Sequence, residues 1–297
     1  MRFGIIAMQL EALVPSGVPA EQIMASIMNF DYSGLAKSLA DKGFNPIELG
    51  GDLGMFLPNV YNPESVERLA ALRSKKLSYT LHLPLWSVEP STPLTSVRKG
   101  SVEAVVQTIR ATTPIEPEVY VLHATGALAA EFYNMKISEL ARTLILRQFQ
   151  NGARESIRAI LSETGLPSRR LAIETIEFPL DLTLELAEEF NLSVCLDTGH
   201  VLAGFPGWFD FSEVVEKLLP RLVEVHLHDC KKMPQGVRGY GEDHKPLGTG
   251  DLDLGPFLDR LVAANFAGPL VFELNVDEAL QSLKVVKSIR PGYIEEH

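Results

Sequence analysis

The chain alternates eight times between a short apolar run and a longer stretch whose apolar residues recur at helical spacing. The short runs predict strands at 3–8, 46–50, 77–83, 118–124, 171–175, 192–197, 222–229 and 269–274. The longer stretches predict helices at 33–43, 64–75, 96–112, 138–164, 181–190, 211–219, 255–264 and 277–289. Strands that alternate with amphipathic helices indicate βαβ units and a parallel sheet.

Eight such units within 297 residues favour a closed barrel over an open doubly wound sheet. We therefore predict an α/β fold in which residues 1–297 form a single (β/α)8 TIM-barrel domain. Two connections are long for this plan, one after the first strand (9–32) and one after the seventh (230–253). Both lie on the face where barrel enzymes hold their active sites.

Composition excludes several classes of protein. The net charge of −11 argues against a nucleic-acid partner, because phosphate contacts need a positive face. No run reaches roughly 18 consecutive apolar residues and no secretion signal begins the chain, so we expect no membrane partner and a cytoplasmic location. The two cysteines form no CxxC motif, so any metal must be held by histidines and carboxylates. For the oligomeric state, the sequence is compatible with a monomer and with a small homo-oligomer.

Six of the seven histidines fall at the end of a predicted strand or in the loop that follows one: His82, His123, His200, His226, His228 and His244. Three carboxylates share this placement: Glu174, Asp197 and Glu273. In a closed barrel these strand ends surround one pocket, where buried carboxylates repel one another unless a cation balances them. Imidazole and carboxylate are common ligands of zinc and also suit manganese or iron. The pattern therefore predicts a divalent metal site.

Several short motifs carry a resemblance to a known family. They are LHLP around His82, LHAT around His123, IET at Glu174, LDTGH from Asp197 to His200, VHLHD around His226 and EDHKPLGTGDLD around His244. With these motifs the chain resembles the xylose-isomerase-like TIM barrels of the endonuclease IV (AP endonuclease 2) superfamily. The resemblance covers nearly the whole chain, and the DTGH string and the loop from His244 to Gly250 are its most specific parts.

The family members that cut phosphodiesters hold three metals, so the resemblance implies two or three divalent ions per chain, with zinc expected first and manganese or iron as alternatives. The implied ligands are His82, His123 and Glu174 for the first metal, Glu174, Asp197, His226 and Glu273 for the second, and His200, Glu242 and His244 for the third. Glu242 departs from the family pattern, which usually has Asp at this position, and the neighbouring Asp243 is a possible substitute.

This ligand set implies a metal-dependent hydrolase that cleaves a phosphoester bond, because metals about 3.5–4 Å apart clamp a phosphate and activate water. Glu174 and Glu273 are the predicted catalytic carboxylates, and His228 is predicted to contact the substrate directly. The predicted substrate-binding residues are Trp86, Lys231, Arg238 and Lys245.

The loops after the second and third strands are rich in apolar and aromatic residues, which indicates a bulky, partly apolar small molecule. The resemblance to a cobamide-remodelling branch makes the nucleotide loop of a cobamide the best specific substrate prediction. The alternative is a sugar or cyclitol isomerase or epimerase that uses one divalent metal at the second of these sites. An abasic-site DNA endonuclease and a non-catalytic binding barrel are weaker alternatives.

Overall fold

Eight parallel strands close into a barrel, in the order of the chain, in a computed structural model that describes residues 1–8, 19, 27, 30–57 and 59–294. The strands are β1 (Phe3–Ile6), β2 (Ile47–Gly50), β3 (Tyr79–His82), β4 (Tyr120–Leu122), β5 (Leu171–Glu174), β6 (Ser193–Asp197), β7 (Leu222–His226) and β8 (Leu270–Phe272). Each lies within its predicted range and is shorter at one or both ends. The predicted (β/α)8 TIM barrel is confirmed.

Helices surround the barrel and also occur in the loops at its C-terminal face. They are α1 (Tyr32–Asp41), α2 (Leu53–Phe56), α3 (Pro63–Leu72), α4 (Thr95–Thr112), α5 (Ala127–Asn134), α6 (Glu139–Thr164), α7 (Leu180–Glu189), α8 (Thr198–Leu202), α9 (Phe211–Leu218), α10 (Leu254–Ala263) and α11 (Val276–Ile289). Short 3-10 turns follow at Thr113–Ile115, Ser168–Arg170 and Pro291–Tyr293. The sequence pattern did not predict α2, α5 and α8, which are short helices in loops after strands.

Local signals fix where these helices begin and end. The Ser138 hydroxyl accepts from the Ala141 N–H at 3.3 Å at the start of α6, and Gly165 ends this helix with a φ of +66°. A capping box between Asn275 and Glu278 begins α11. This cap fixes the turn that leaves β8, and so it also fixes the chain next to Glu273.

Side chains alternate between the two sides of each strand. Ile47 and Leu49 of β2 face the apolar core between the barrel and its helices. The intervening positions face into the barrel, where a separate small cluster contains Val121, Ala172 and Cys195. The strand ends above this cluster form a ring at the C-terminal mouth, which brings the predicted ligands together.

The long connection after β7 is confirmed and extends from residue 227 to residue 253. The predicted long loop after β1 lies mostly outside the described residues. Across the described part of the chain, no helix is long and apolar enough to cross a membrane.

Two helical glycines provide a matched test of how closely α6 packs against the loop that precedes α4. A Cβ at Gly152 would lie 2.1 Å from the Ser91 carbonyl oxygen, whereas a Cβ at Gly100 would meet no atom within 4 Å. We expect Gly152→Ala to lower the free energy of unfolding by about 1–3 kcal/mol through overpacking. Gly100→Ala should raise it by about 0.5–1 kcal/mol, because alanine favours the helix. Urea denaturation measures both changes, and shifts of the same sign would contradict this account of the packing.

Candidate metal centre

Four side chains from neighbouring strand ends converge at the mouth of the barrel: Glu174, Asp197, His226 and Glu273. One potential ligand atom from each lies within 4.8 Å of those of the other three. His226 Nδ1 is 3.4 Å from Glu174 Oε1 and 3.4 Å from Glu273 Oε1. The same nitrogen is 3.9 Å from Asp197 Oδ2. We call these four residues the central cluster, and they are the ligands predicted for the second metal.

The chemistry of the central cluster fits a divalent cation. His226 is fully buried, and its Nδ1 has no hydrogen-bond partner among the described residues. A buried nitrogen left without a partner beside three carboxylates is unfavourable unless a proton or a metal cation lies between them. One imidazole nitrogen with carboxylate oxygens is a donor set that zinc, manganese and iron accept.

The DTGH motif is explained by the turn between β6 and α8. Asp197 is the last residue of β6 and the N-cap of α8, and its Oδ1 accepts from the His200 N–H at 2.6 Å. The cap holds the carboxylate in place while Oδ2 faces His226 and His228. Burial alone would lower the pKa of His200, but Asp197 and Glu174 beside it raise that pKa to about 9.

A second group shares Glu174 with the central cluster. His82 Nε2 lies 3.2 Å and His123 Nε2 lies 3.0 Å from Glu174 Oε2. The other ring nitrogen of His82 faces the Leu83 carbonyl oxygen at 2.9 Å. Burial would lower the pKa of His82, but Glu174 raises it to about 9. With this pKa, both ring nitrogens of His82 carry a proton at neutral pH in the metal-free protein. The structure thus brings together the three residues predicted for the first metal.

The third group corrects one predicted ligand. His200 Nε2 is 3.7 Å from Asp243 Oδ2, and His244 Nδ1 is 3.0 Å from the same oxygen. Glu242 is exposed and belongs to none of the candidate metal groups among the described residues. Gly241 and His244 both have positive φ, and the turn between them directs Asp243 toward His200. Asp243 therefore takes the place predicted for Glu242.

His228 does not occupy the predicted position in the cavity wall. It is fully buried, with Nε2 2.8 Å from Asp197 Oδ2 and Nδ1 accepting from the His244 N–H at 2.9 Å. Its ring also stacks on the ring of His244, with centroids 4.2 Å apart. In this structure His228 therefore supports Asp197 and His244, whereas we predicted that it contacts the substrate.

A cavity of about 540 Å³ opens above the central cluster. Its polar wall contains His82, His123, Glu174, His200, His244 and Glu273. Its apolar wall contains Ile6, Met8, Leu85, Trp86 and Leu274. Trp86 thus lies where the sequence predicted a substrate contact. Asn275 and Glu278 also line the cavity, and sequence reasoning missed them although both closely follow the strand end at Glu273.

The two lysines predicted to bind substrate do not line this cavity. Lys231 Nζ is 3.1 Å from Asp251 Oδ1 at the surface, and Lys245 Nζ donates to the Gly241 carbonyl oxygen at 3.1 Å. No lysine or arginine is among the described lining residues, and the sequence 9–29 contains none. The described cavity therefore offers no such cation to a phosphate group.

Arg238, the third predicted cation, instead anchors the loop after β7. Its guanidinium carbon lies 4.2 Å from the Tyr133 ring centroid and 4.8 Å from that of Trp208. Its Nε is 3.6 Å from Glu177 Oε1, and it donates to the Asn134 side chain. These partners belong to the segments after β4, β5 and β6, so Arg238 ties four segments together outside the cavity.

Comparison with known proteins identifies the family. The profile of the AP endonuclease 2 family, described as a xylose isomerase-like TIM barrel, matches residues 36–291. The chain belongs to this family. An uncharacterized protein of Methanocaldococcus jannaschii, MJ1311, is 24% identical over 232 residues, which are 76% of this chain and 75% of that protein.

Solved structures share the fold at low sequence identity. A D-tagatose 3-epimerase-like protein superposes with a TM-score of 0.69 at 20% identity and covers 97% of both chains. D-psicose 3-epimerase from Clostridium cellulolyticum H10 has a TM-score of 0.65 at 14% identity over both full chains. The IolI protein, solved with a zinc atom, has a TM-score of 0.65 at 14% identity, also over both full chains. The family and these neighbours support the expectation of an enzyme.

The prediction of a phosphoester hydrolase that acts on a cobamide is wrong. The structural neighbours are named mostly as sugar epimerases and isomerases, which favours the alternative reading. The residues explain why the sequence misled us. The central cluster serves either chemistry, and the cations expected to bind phosphate lie outside the described cavity wall.

The raised pKa values of His82 and His200, two of the four histidines with a raised pKa, predict how pH affects the stability of the metal-free protein. The pKa of His82 and that of His200 are about 9, against an ordinary value of 6.5. A folded state that binds protons more tightly is fully stabilised below pH 6.5 and loses this stabilisation as the pH rises through 9. We expect the free energy of unfolding of chelator-treated protein to fall by a few kcal/mol, roughly, between these limits. His82→Gln should make the slope shallower, and a flat or rising wild-type profile would contradict the prediction.

Proposed function

We propose that this protein is a metal-dependent isomerase or epimerase of a sugar or cyclitol, with one divalent cation at the central cluster. The observation that carries the proposal is the orphaned Nδ1 of buried His226, which faces three carboxylates. Two of those carboxylates, Glu174 and Glu273, also line the cavity. The cation and the acid–base groups would therefore act on the same bound molecule.

Epimerisation beside a carbonyl removes a proton from one face of a carbon and returns a proton to the other face, so it needs two acid–base groups. A divalent cation at the central cluster would polarise the carbonyl and make the neighbouring proton more acidic. Glu174 on β5 and Glu273 after β8 reach the cavity from different strands, so they provide the two groups.

Both glutamates are ionised at neutral pH, as proton acceptors must be. Burial would raise the pKa of Glu174, but His123 and His226 hold it well below its usual range. Burial would likewise raise the pKa of Glu273, which His226 and His244 lower instead. Each carboxylate can accept a proton, while the histidines around it stabilise its charged form.

The cavity walls fit an uncharged polyhydroxylated substrate. His123 and His200 offer ring nitrogens that can donate hydrogen bonds to hydroxyl or carbonyl oxygens. Leu85 and Trp86 belong to the apolar wall, which suits the carbon face of a sugar ring or chain. The absence of lysine and arginine from the described lining favours a substrate without phosphate.

Exchange of carbon-bound hydrogen tests the proposed chemistry. Zinc- or manganese-loaded protein would be incubated in D2O with ketoses such as D-tagatose, D-psicose and L-ribulose and with an inosose, and followed by NMR. We expect deuterium to enter beside the carbonyl of at least one substrate, together with an epimer or isomer. Failure of every substrate to exchange with fully loaded protein would contradict the proposal.

Substitution of the two glutamates tests their roles. Glu273→Gln should slow exchange by about 10²–10⁴-fold, because a general acid–base group is lost. Glu174→Gln should slow it similarly. Both variants should lower the metal content, and Glu174→Gln should lower it more, because Glu174 belongs to both the central cluster and the group with His82 and His123. The rates are therefore compared per bound metal ion. Glu242→Gln is the matched control, since Glu242 is exposed and outside the metal groups. Equal rates in Glu273→Gln and Glu242→Gln would show that Glu273 is not an acid–base group.

A further inference from the structure

Two further glutamates lie inside the barrel, below the central cluster. Glu48 is in β2 and pairs with Thr80 in the strand register, and Glu224 is in β7 and pairs with Cys195. Both glutamates are fully buried. Barrel interiors are usually filled by branched apolar side chains, so two carboxyl groups in this layer are exceptional.

Glu48 contacts the side of the His226 ring that faces away from the cavity mouth. His226 Nε2 is 3.3 Å from Glu48 Oε2 and 3.4 Å from Glu48 Oε1. Oε1 is within hydrogen-bond distance of Nε2, and the tautomer in which Nε2 donates to it leaves the lone pair on Nδ1. The lone pair then faces Glu174, Glu273 and Asp197, where the cation would lie.

Glu224 extends this contact deeper into the barrel. Potential ligand atoms of Glu48, Glu224 and His226 all lie within 4.8 Å of one another. Neither carboxyl oxygen of Glu224 has a hydrogen-bond partner among the described residues, and the same is true of the Thr80 hydroxyl.

These buried groups are unfavourable for the fold by themselves. Burying a carboxylate, or a neutral carboxyl group without a hydrogen-bond partner, costs several kcal/mol, roughly, and well-packed apolar residues of similar size are often at least as stable. A role confined to packing therefore does not account for both glutamates. Their alignment behind His226 links them to the metal centre, because a carboxylate that accepts from a ligand imidazole orients the ring and makes it a stronger ligand.

We propose that Glu48 and Glu224 are positioning residues of the metal centre. Glu48 holds the His226 ring through Nε2 so that Nδ1 faces the cation, and Glu224 supports Glu48 from the interior of the barrel. This inference rests on the proposed metal site and not on the identity of the substrate.

Metal affinity of the full-length protein tests this role directly. Dissociation constants for Zn²⁺ would be measured by competition with a chromophoric chelator for wild type, Glu48→Gln, Glu48→Leu and Glu224→Gln. We expect Glu48→Leu to bind Zn²⁺ about 10–100-fold more weakly, as is typical when the carboxylate behind a ligand histidine is lost. Glu48→Gln keeps an acceptor but removes the charge, so its loss should be about tenfold. Glu224→Gln should weaken binding less than either variant.

The absorption spectrum of Co²⁺-loaded protein provides a readout that a purely structural role would not change. We expect the d–d bands to shift in the Glu48 variants, because the ligand ring reorients or becomes less basic. Glu89→Gln is the control, since Glu89 is partly buried but belongs to none of the candidate metal groups in the described residues. Its Zn²⁺ affinity and Co²⁺ spectrum should match those of wild type.

The outcomes distinguish failure of the proposed positioning role from failure of the proposed metal site. Wild-type affinity and an unchanged Co²⁺ spectrum in both Glu48 variants would overturn the positioning role, even if their melting temperatures fall. If Glu48→Leu does not fold, the same result in Glu48→Gln alone would overturn it. A wild-type protein that binds no Zn²⁺ or Co²⁺ would overturn the proposed metal site together with this inference.

Discussion

Charge balance at the mouth of the barrel is the constraint on which this site depends. Glu174, Asp197 and Glu273 surround one fully buried imidazole, and neighbouring histidines keep the pKa of Glu174 and that of Glu273 low. Without a cation, protons on the surrounding histidines supply the positive charge, as the raised pKa of His82 shows. A divalent cation would replace part of this proton charge, so metal binding and protonation compete in the same cluster.

The closed barrel makes this concentration of charge possible. Parallel strands place their C-terminal ends in one ring, and strand alternation turns one residue near each end toward the axis. Local caps then hold individual groups: Asp197 begins α8, and Asn275 begins α11 just after Glu273. Outside the ring, Arg238 fastens the β7 loop that carries Asp243 and His244. The site is thus formed by strand geometry and completed by loops.

The part of the site on strands was predictable, because the apolar pattern locates the end of each strand and the alternation of side chains shows which residues face the barrel axis. His82, Glu174 and His226 follow this rule. The part on loops was less predictable, because it depends on turn conformations that leave little trace in the sequence. The β7 loop illustrates this: a turn directs Asp243 inward in place of Glu242, and aromatic rings bind Arg238 away from the cavity. The reaction class was misassigned for a further reason, since the central cluster serves both phosphoester hydrolysis and sugar isomerisation.

The position of a bound cation tests the central claim most directly. Crystals grown with saturating zinc would be measured at the zinc absorption edge, so that anomalous scattering locates the ion. We predict a principal peak about 2.0–2.3 Å from His226 Nδ1 and from oxygens of Glu174, Asp197 and Glu273. No peak there, or a principal peak among His200, Asp243 and His244, would contradict the account.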